Sequence, residues 1–200
     1  NLINLIYSAA TDGYYANFQN SNSVVLLNDQ LAFRKSIRGP KKDRWFKSIA
    51  AGADQSVWAI DNQEELFIGQ QTDETLLPLA NYEDQMLAAI RDQFRNVMSD
   101  AFGNLWLMGR KNVYHYSYAT KKITTFSWPK QDIFRKHNSG IRFFTWQTDS
   151  KSNAWMSSNI GLFKFDLANG NSIYYGDALQ PSTTLANISI KSFTIDKADR

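Results

Sequence analysis

"DAFGNLWLMG", at residues 100–109, is the stretch that decides the fold. Asp100 can accept hydrogen bonds from backbone N–H groups ahead of it, and Gly103 can adopt a positive φ without steric penalty. The stretch therefore predicts a tight hairpin turn. Trp106 follows on the second strand, where a large ring can fill the space between twisted sheets. The hairpin becomes informative because related stretches recur along the chain.

The recurrences align on Trp58, Trp106 and Trp155, which lie about 48 and 49 residues apart. The residues at matching offsets before and after each Trp are apolar, and the first of them is a Phe every time. Tyr15 anchors a weaker copy near the start, and "IKSFTIDKADR" (190–200) resembles the beginning of another. A period of this length is typical of β-propellers and also of some helical arrays.

Local composition favours strands. Runs such as "NLWLMG", "NVYHYSY" and "ITTFSW" are short, rich in aromatic and β-branched residues, and separated by turn residues. Each repeat is interpreted as four antiparallel strands, here named a, b, c and d. In the third repeat we predict a at 94–99, b at 104–109, c at 112–118 and d at 123–127.

The predicted fold class is therefore an all-β propeller with four four-stranded blades and the start of a fifth. We assign the repeats to 3–45, 46–93, 94–142, 143–189 and 190–200, the last truncated, within a single propeller segment. The pattern is interpreted as a fragment of a larger ring, for example of seven blades, excised from a longer protein. A truncated ring exposes a strand edge, so a homodimer is also expected.

Two segments interrupt the strand pattern. "NYEDQMLAAIRDQF" (81–94) has apolar residues at helical spacing, and "WPKQDIFRKHNSG" (128–140) has a Pro where a helical turn could begin. Both lie between strand d of one repeat and strand a of the next. We predict surface excursions with a helical turn in each.

Composition excludes several classes of protein. The 200 residues contain no Cys, which rules out a disulfide scaffold and a Cys-based metal site. The net charge is only +3 and the basic residues are scattered, which argues against nucleic-acid binding. The sequence has no apolar run of roughly 20 residues, so we expect no membrane contact by this segment. We predict neither a metal nor a cofactor.

Two of the repeats resemble the two-component regulator propeller repeat, whose pattern is D-x-x-G-N-L-W-x-G-T followed by a turn, G-L and an aromatic strand. The third repeat matches it at Asp100, Gly103, Asn104, Leu105, Trp106 and Gly109. The fourth matches at Asp149, Asn153, Trp155, Gly161, Leu162, Phe165 and Asp166. Departures are Arg110 in place of Thr, Ser152 in place of Gly, and Gly52 where the second repeat should have Asp.

The resemblance implies the periplasmic sensor region of a hybrid two-component protein of the Bacteroidetes type. In that family two propellers and an immunoglobulin-like module precede a membrane helix and a histidine kinase. It implies a small-molecule or oligosaccharide ligand, commonly glycan-derived, and contacts with the remaining blades of the same parent chain. The parent would be membrane-anchored and a histidine kinase, while this segment itself would not be an enzyme.

The residues support a segment without catalytic chemistry. The chain has two His, His115 and His137, and no G-x-S-x-G motif. His115 lies between two tyrosines on a predicted strand and is interpreted as a satisfied or solvated strand residue. His137 lies in a predicted loop. The two His do not have metal-ligand spacing, so we predict no catalytic and no metal site.

In a four-stranded meander the b–c loops and the d–a connections emerge at one end of the sheet, which we call the b–c end. The a–b and c–d turns emerge at the opposite end, which we call the a–b end. Because the a–b turns are compact, we predict ligand binding at the b–c end, where the loops vary. The candidate region comprises Asp61, Asn62, Gln63, Arg110, Lys111, Asn112, Trp128, Arg135, Lys136, His137, Ser158 and Asn159. The predicted structural residues of the blades are Trp58, Trp106, Trp155, Asp100, Gly103, Asp149 and Gly161.

Two alternatives stay open at this point. "WFKSIAAGADQSVWAIDNQEELF" (45–67) also resembles a tectonin repeat, which implies a carbohydrate-binding lectin propeller with one site per blade. The b–c loops "DNQE", "RKN" and "SSN" are unlike one another, which argues against repeated identical sites. A protein-interaction scaffold is the second alternative and would need an exposed apolar patch.

Overall fold

The strands in the described part of the chain form four separate antiparallel sheets, each a meander of four consecutive strands. The computed structural model describes residues 1–81, 87, 89–100, 102–129, 141–151, 153–176 and 189–196. Sheet I contains β1 (Leu2–Ser8), β2 (Gly13–Phe18), β3 (Ser23–Asn28) and β4 (Phe33–Arg38). Sheet II contains β5 (Phe46–Ala51), β6 (Ser56–Asp61), β7 (Leu66–Gln70) and β8 (Leu77–Pro78).

The two later sheets repeat this order. Sheet III contains β9 (Phe94–Ser99), β10 (Leu105–Gly109), β11 (Asn112–Ser117) and β12 (Lys122–Ser127). Sheet IV contains β13 (Phe143–Thr148), β14 (Asn153–Ser158), β15 (Gly161–Asp166) and β16 (Ser172–Tyr175). The four strands predicted for the third repeat are all present, each within one residue of its predicted bounds. The first repeat, whose sequence match is faint, nevertheless forms a complete four-stranded sheet.

The core of the first part of the chain lies between faces of successive sheets. Tyr15, Val24, Leu26 and Ile37 of sheet I share one buried cluster with sheet II residues. The opposite face of sheet II, which carries Trp58, shares a second cluster with sheet III. Because sheet II is covered on both faces, all six residues of β6 are buried, and residues 57–60 form a continuous apolar run instead of an alternating one.

The chain divides into two compact units, Asn1–Ile123 and Thr124–Arg200, and the division falls within β12. The second unit has an aromatic core of its own. Phe126 contacts Phe165 edge-on at a centroid distance of 5.5 Å. The Trp128 ring stacks on Phe143 at 5.6 Å, and Phe163 stacks on Tyr174 at 4.9 Å.

The last residue of the a–b turn has a positive φ in the first three repeats, although the first a–b turn is one residue longer than the other two. Aligned on strand register, Asp12, Gln55 and Gly103 stand at the same turn position, and their φ angles are +44°, +68° and +76°. The sequence anticipates the positive φ only where a Gly occupies the position. Asp12 and Gln55 adopt it as non-glycine residues because the turn fixes the backbone around them.

Gly52, which departs from the expected Asp, has a structural explanation. A Cβ atom at this position would collide with the Tyr118 hydroxyl and the Ser56 Oγ. The Tyr118 hydroxyl instead bonds the Ser56 Oγ at 2.7 Å and accepts the Trp58 Nε1–H at 2.9 Å. In the second repeat, therefore, Asp54 accepts the Ser56 N–H at 3.1 Å, and the Tyr118 hydroxyl takes over the acceptor role that Asp149 has toward the indole N–H of Trp155.

In the first excursion the described residues agree in part with the predicted helical turn. Leu87 is helical and a short 3-10 helix spans Leu79–Asn81, whereas Phe94 begins β9 and is not part of a helix. Residues 82–86, 88 and 130–140 lie outside the described residues. Residues 190–196 carry no assigned strand, but Gln147 binds them: its Nε2 donates to the Phe193 carbonyl at 3.4 Å and its Oε1 accepts the Ile195 N–H at 2.7 Å.

Candidate functional site

Asp61, the first predicted ligand residue, is completely buried at the b–c end of sheet II. Its Oδ1 accepts the backbone N–H groups of Gln63 and Glu65, each at 2.9 Å. Its Oδ2 lies 2.8 Å from the Arg44 guanidinium. Asp61 therefore closes its own loop and neutralises a cation, which leaves its carboxylate inaccessible to a ligand. The adjacent Asn62 and Gln63 are exposed.

The basic residues at this end are paired with acids. Glu65 pairs with Arg44 and also with Lys41, at 3.2 Å from the Lys41 Nζ. Glu64 lies 2.6 Å from the Arg110 Nε and 3.8 Å from the Lys47 Nζ. Burial raises the pKa of Glu64, but these cations outweigh it and the pKa lies below its usual value. Burial lowers the pKa of Lys47.

Asp92, which sequence reasoning missed, holds the β10–β11 loop. Its carboxylate accepts the backbone N–H groups of Arg110, Lys111 and Asn112 at 3.1 to 3.2 Å. A Cβ atom at Gly109 would collide with the same carboxylate. Three converging N–H groups form an anion-binding concavity, and here Asp92 fills it. Two features of the sequence could have pointed to Asp92. It lies near the end of a d–a connection, and the strand b that follows ends with a Gly, Gly109.

In the second unit the described candidates are also used by the fold. The Ser158 Oγ is buried, donates to the Gly161 carbonyl at 2.9 Å and accepts the Ile160 N–H at 3.2 Å. Asn159 accepts the Arg142 N–H at 2.7 Å. Trp128 is only 5% exposed, so its ring does not face solvent.

Three further candidates, Arg135, Lys136 and His137, lie outside the described residues. Among the described candidates, the structure brings Asp61, Asn62 and Gln63 together on one loop, and Arg110, Lys111 and Asn112 on another. Only Asn62, Gln63, Arg110 and Lys111 are exposed. The ligand-binding role of these four residues stays a prediction, whereas burial reassigns Asp61, Ser158 and Trp128 to the fold.

A cavity of about 510 Å³ lies in the first unit at the opposite, a–b end. Sheets I, II and III each contribute the end of their first strand and the residues that follow. The lining residues are Tyr7, Ser8, Ala9, Ala10, Ala51, Gly52, Ala53, Ser99, Asp100, Phe102 and Gly103. Sequence reasoning passed over this end because each a–b turn by itself is compact.

Small residues leave room for the cavity, and two aromatic rings border it. Ala53 donates its N–H to the Gly103 carbonyl at 3.2 Å, which holds two of the turns together. A Cβ atom at Gly103 would come within 2.7 Å of the Ala53 Cβ. Tyr7 is 52% exposed and Phe102 is 77% exposed. The cavity is therefore an open site with a small-residue floor and an aromatic border.

Asp100 contributes the carboxylate of this lining. It accepts the N–H groups of Phe102 and Asn104 at 2.9 and 2.8 Å, and its Oδ2 lies 3.6 Å from the His115 Nε2. Burial raises the pKa of Asp100, but His115 and the hydrogen bonds outweigh it, so the pKa lies below the usual value. Asp100 is therefore ionised at neutral pH.

His115 is buried beside Trp106, with a ring-centroid distance of 4.6 Å. The sequence left two environments open for His115, and in the structure its imidazole is enclosed by the protein and not solvated. Trp58 and Trp106 are fully buried, whereas Trp155 is partly exposed and donates its Nε1–H to Asp149 at 2.9 Å. Within the described part of the chain, no group of three or more potential ligands could hold a metal ion.

No protein-family model matches the sequence, and no curated protein matches it either. Solved structures do match. Virginiamycin B lyase from Staphylococcus aureus, in a catalytically inactive variant with quinupristin, is 12% identical with a TM-score of 0.61, over 92% of this chain and 58% of that one. The extracellular domain of BT4673 from B. thetaiotaomicron, described as a hybrid two-component system, is 12% identical with a TM-score of 0.60, over 100% of this chain and 24% of that one.

The WD40 repeats of RRP9 provide a third match, at 9% identity and a TM-score of 0.59, over 87% of this chain and 50% of that one. WD40 repeats are blades of four-stranded sheets arranged radially, which is the strand pattern of sheets I to IV. This chain is part of an all-β propeller. The predicted fold class is confirmed, and the propeller segment spans less than two thirds of each of the three matched proteins.

Within this propeller segment, the described helices include none that is long and apolar enough to cross a membrane. The two ends of its blades differ in chemistry. At the b–c end, acids and bases of neighbouring loops are paired with each other. At the a–b end, an open cavity is bordered by two exposed rings.

Proposed function

We propose that this chain belongs to the extracytoplasmic, periplasmic sensor region of a hybrid two-component protein. The observation that carries the proposal is the alignment of the whole chain with the extracellular domain of BT4673. The motif residues Asp100, Gly103, Asn104 and Trp106 support it, because they match the propeller repeat of such regions. In this proposal a ligand, glycan-derived or another small molecule, changes the packing of the propeller and thereby the activity of a histidine kinase in the parent protein.

The proposed role is binding without catalysis. The likeness to virginiamycin B lyase concerns the fold, at 12% identity. His115 is enclosed by Trp106 and Asp100, so its imidazole is not presented to a substrate. A lectin with one site per blade receives no support from the b–c loops, because Asp61, Asp92 and Ser158 close them in three different ways.

The exposed face of sheet I supports the proposal that further blades of the parent protein are partners of this chain. Strand register makes Leu5, Tyr7 and Tyr14 the equivalents of Ile49, Ala51 and Val57 in sheet II. The sheet II residues are buried against sheet I, whereas Leu5 and Tyr7 are 43% and 52% exposed. We therefore propose that this face of sheet I packs against another blade of the parent protein, and a homodimer is the alternative partner.

The reading frame that encodes this chain tests the proposal. We expect it to encode further propeller repeats, one membrane-spanning helix and a histidine-kinase core. A frame that ends within one repeat after Arg200 would contradict the proposal and would leave a small binding or scaffold propeller as the explanation.

A further inference from the structure

We propose that Asn169 is a site of covalent modification, at which the backbone nitrogen of Gly170 converts the Asn169 amide to a carboxylate and Asp166 restrains the rate. The sequence contains one Asn-Gly pair, at residues 169–170. The pair lies in the c–d turn of sheet IV, between β15 and β16. This chemistry does not depend on the proposed sensor function, because it needs neither a ligand nor a further domain.

The reaction uses atoms of residues 169 and 170 and one water molecule. A bond forms between the Gly170 nitrogen and the Asn169 Cγ, and the Cγ–Nδ2 bond breaks. The proton of the Gly170 N–H passes through solvent to the departing nitrogen, which leaves as ammonia. Water then opens the cyclic imide at either of its carbonyl groups and gives aspartate or isoaspartate. A Gly after the Asn favours the attack, because Gly has no Cβ to hinder the nitrogen.

The turn leaves the reacting pair open to water. Asn169 and Gly170 are both exposed, as is the following Asn171. A Cβ atom added at Gly170 would meet no heavy atom within 4 Å. Solvent therefore has access to carry the protons and to open the imide.

Asp166 opposes the reaction through hydrogen bonds to both reacting groups. Its carbonyl oxygen accepts the Gly170 N–H at 2.9 Å, which holds the attacking nitrogen. Its Oδ2 accepts the Asn169 Nδ2–H at 2.6 Å, and the Asn169 Oδ1 accepts the Asn171 N–H at 2.9 Å. The amide is thus held at both its nitrogen and its oxygen. Because attack requires these contacts to break, the folded turn slows the conversion relative to the unfolded chain.

The conversion loosens the turn in which it occurs. A carboxylate at position 169 would lie against the Asp166 carboxylate in place of the present amide contact, and like charges in contact repel. Isoaspartate also lengthens the backbone within a turn that is closed by the Asp166 N–H and the Asn171 carbonyl at 2.8 Å. Both changes oppose the pairing of β16, the edge strand of sheet IV, and loss of that pairing would leave β15 as the unpaired edge.

Peptide mapping by mass spectrometry, during incubation of the folded 200-residue chain at mildly alkaline pH, tests the assignment. We expect the mass gain of one unit and the isoaspartate linkage to appear at Asn169 about fivefold faster than at Asn20. Asn20 is the internal control, because it is also exposed in a turn but precedes Ser21 instead of a Gly. Faster conversion at Asn20, or no conversion at Asn169, would overturn the proposal.

A variant at Gly170 tests the attacking nitrogen. Gly170→Lys places a side chain beside that nitrogen, and the turn accepts a Lys there: Lys121 occupies the equivalent position in sheet III, with a φ of +53° against +75° for Gly170. We expect the conversion at Asn169 to slow by about tenfold. An unchanged rate would show that the Gly170 nitrogen is not the attacking group.

A variant at Asp166 tests the restraint. Asp166→Ala removes the carboxylate that holds the Asn169 amide, and we expect the conversion to speed up by about fivefold. Near-ultraviolet circular dichroism checks that the variant is folded. Where it is not, the unaltered chain in urea replaces it, because unfolding releases the same contacts, and it should react faster than the folded chain. A rate that neither change raises would refute the role of Asp166.

Discussion

At the scale of single residues, one carboxylate accounts for much of the a–b turn in the third and in the fourth repeat. Asp100 and Asp149 both accept the N–H groups two and four residues ahead, and each also accepts a side-chain amide, from Asn104 and Asn153. This is the geometry that the motif predicts. The second repeat divides this work: Asp54 accepts the Ser56 N–H, and the hydroxyl of Tyr118, which follows β11, accepts the Trp58 indole N–H. A pattern taken one repeat at a time cannot reveal the contact from Tyr118.

The Tyr118 hydroxyl provides the prediction at this scale. Tyr118→Phe removes one hydrogen-bond partner each of Ser56 and Trp58, while the Trp58–Ser56 and Ser56–Asp54 hydrogen bonds stay, so we expect the free energy of unfolding to fall by about 1 kcal/mol. Urea denaturation followed by tryptophan fluorescence measures it. Tyr175→Phe is the control, because Tyr175 stacks on Trp155 through its ring, and its loss of a hydroxyl should cost less than ~0.5 kcal/mol. Equal losses would refute a special role for Tyr118.

At the scale of strands and loops, the sequence predicts the repeated elements better than the connections between them. Strands β9 to β12 follow from local composition, because pleated, half-buried surfaces favour the same residue types everywhere. The b–c loops were predicted to bind a ligand, yet Asp92 closes one of them from 20 residues away, and Asp61, which closes its own loop, is neutralised by Arg44 from 17 residues away. Such partners come together only when whole sheets assemble. The a–b cavity was missed for the same reason, since no single turn contains it.

The β6–β7 loop tests how much such a closure contributes. Arg44→Ala leaves the buried Asp61 carboxylate without its cation, and we expect the free energy of unfolding to fall by about 2–3 kcal/mol. Lys41→Ala removes an exposed partner of Glu65 and should cost at most ~1 kcal/mol. Chemical denaturation of the two variants at low and moderate salt compares them. A loss for Lys41→Ala as large as that for Arg44→Ala would contradict the account.

At the scale of the whole molecule, the described acids whose pKa values are shifted are stabilised as anions. The pKa values of Asp100, Asp149 and Glu64 all lie below their usual values of 3.8, 3.8 and 4.5, because hydrogen bonds and cations outweigh burial. A lowered pKa in the folded state contributes stability above the unfolded value, and that stability is lost as pH falls through the folded value. The propeller segment should therefore be destabilised by acid and insensitive to pH near neutrality.

Asp100→Asn checks this expectation. The variant should be less stable than the parent at pH 7, and its stability should fall less steeply between about pH 5 and pH 3, because one carboxylate with a lowered pKa has been removed. Urea midpoints measured across that range give both slopes. Asp29→Asn, at an exposed turn position, is the control and should keep the parent's slope. An Asp100→Asn slope equal to that of the parent would show that other groups govern the acid transition.

The Tyr118 hydroxyl occupies the space that a side chain at position 52 would need. This arrangement has a consequence for how the two positions evolve. A relative that regains Asp at position 52 needs the volume that this hydroxyl occupies, so position 118 must then carry a smaller or shorter residue. Positions 52 and 118, which belong to different blades, are expected to change together among relatives. Substitutions at one of them alone should be rare, because the intermediate sequence has either a collision or an unfilled gap.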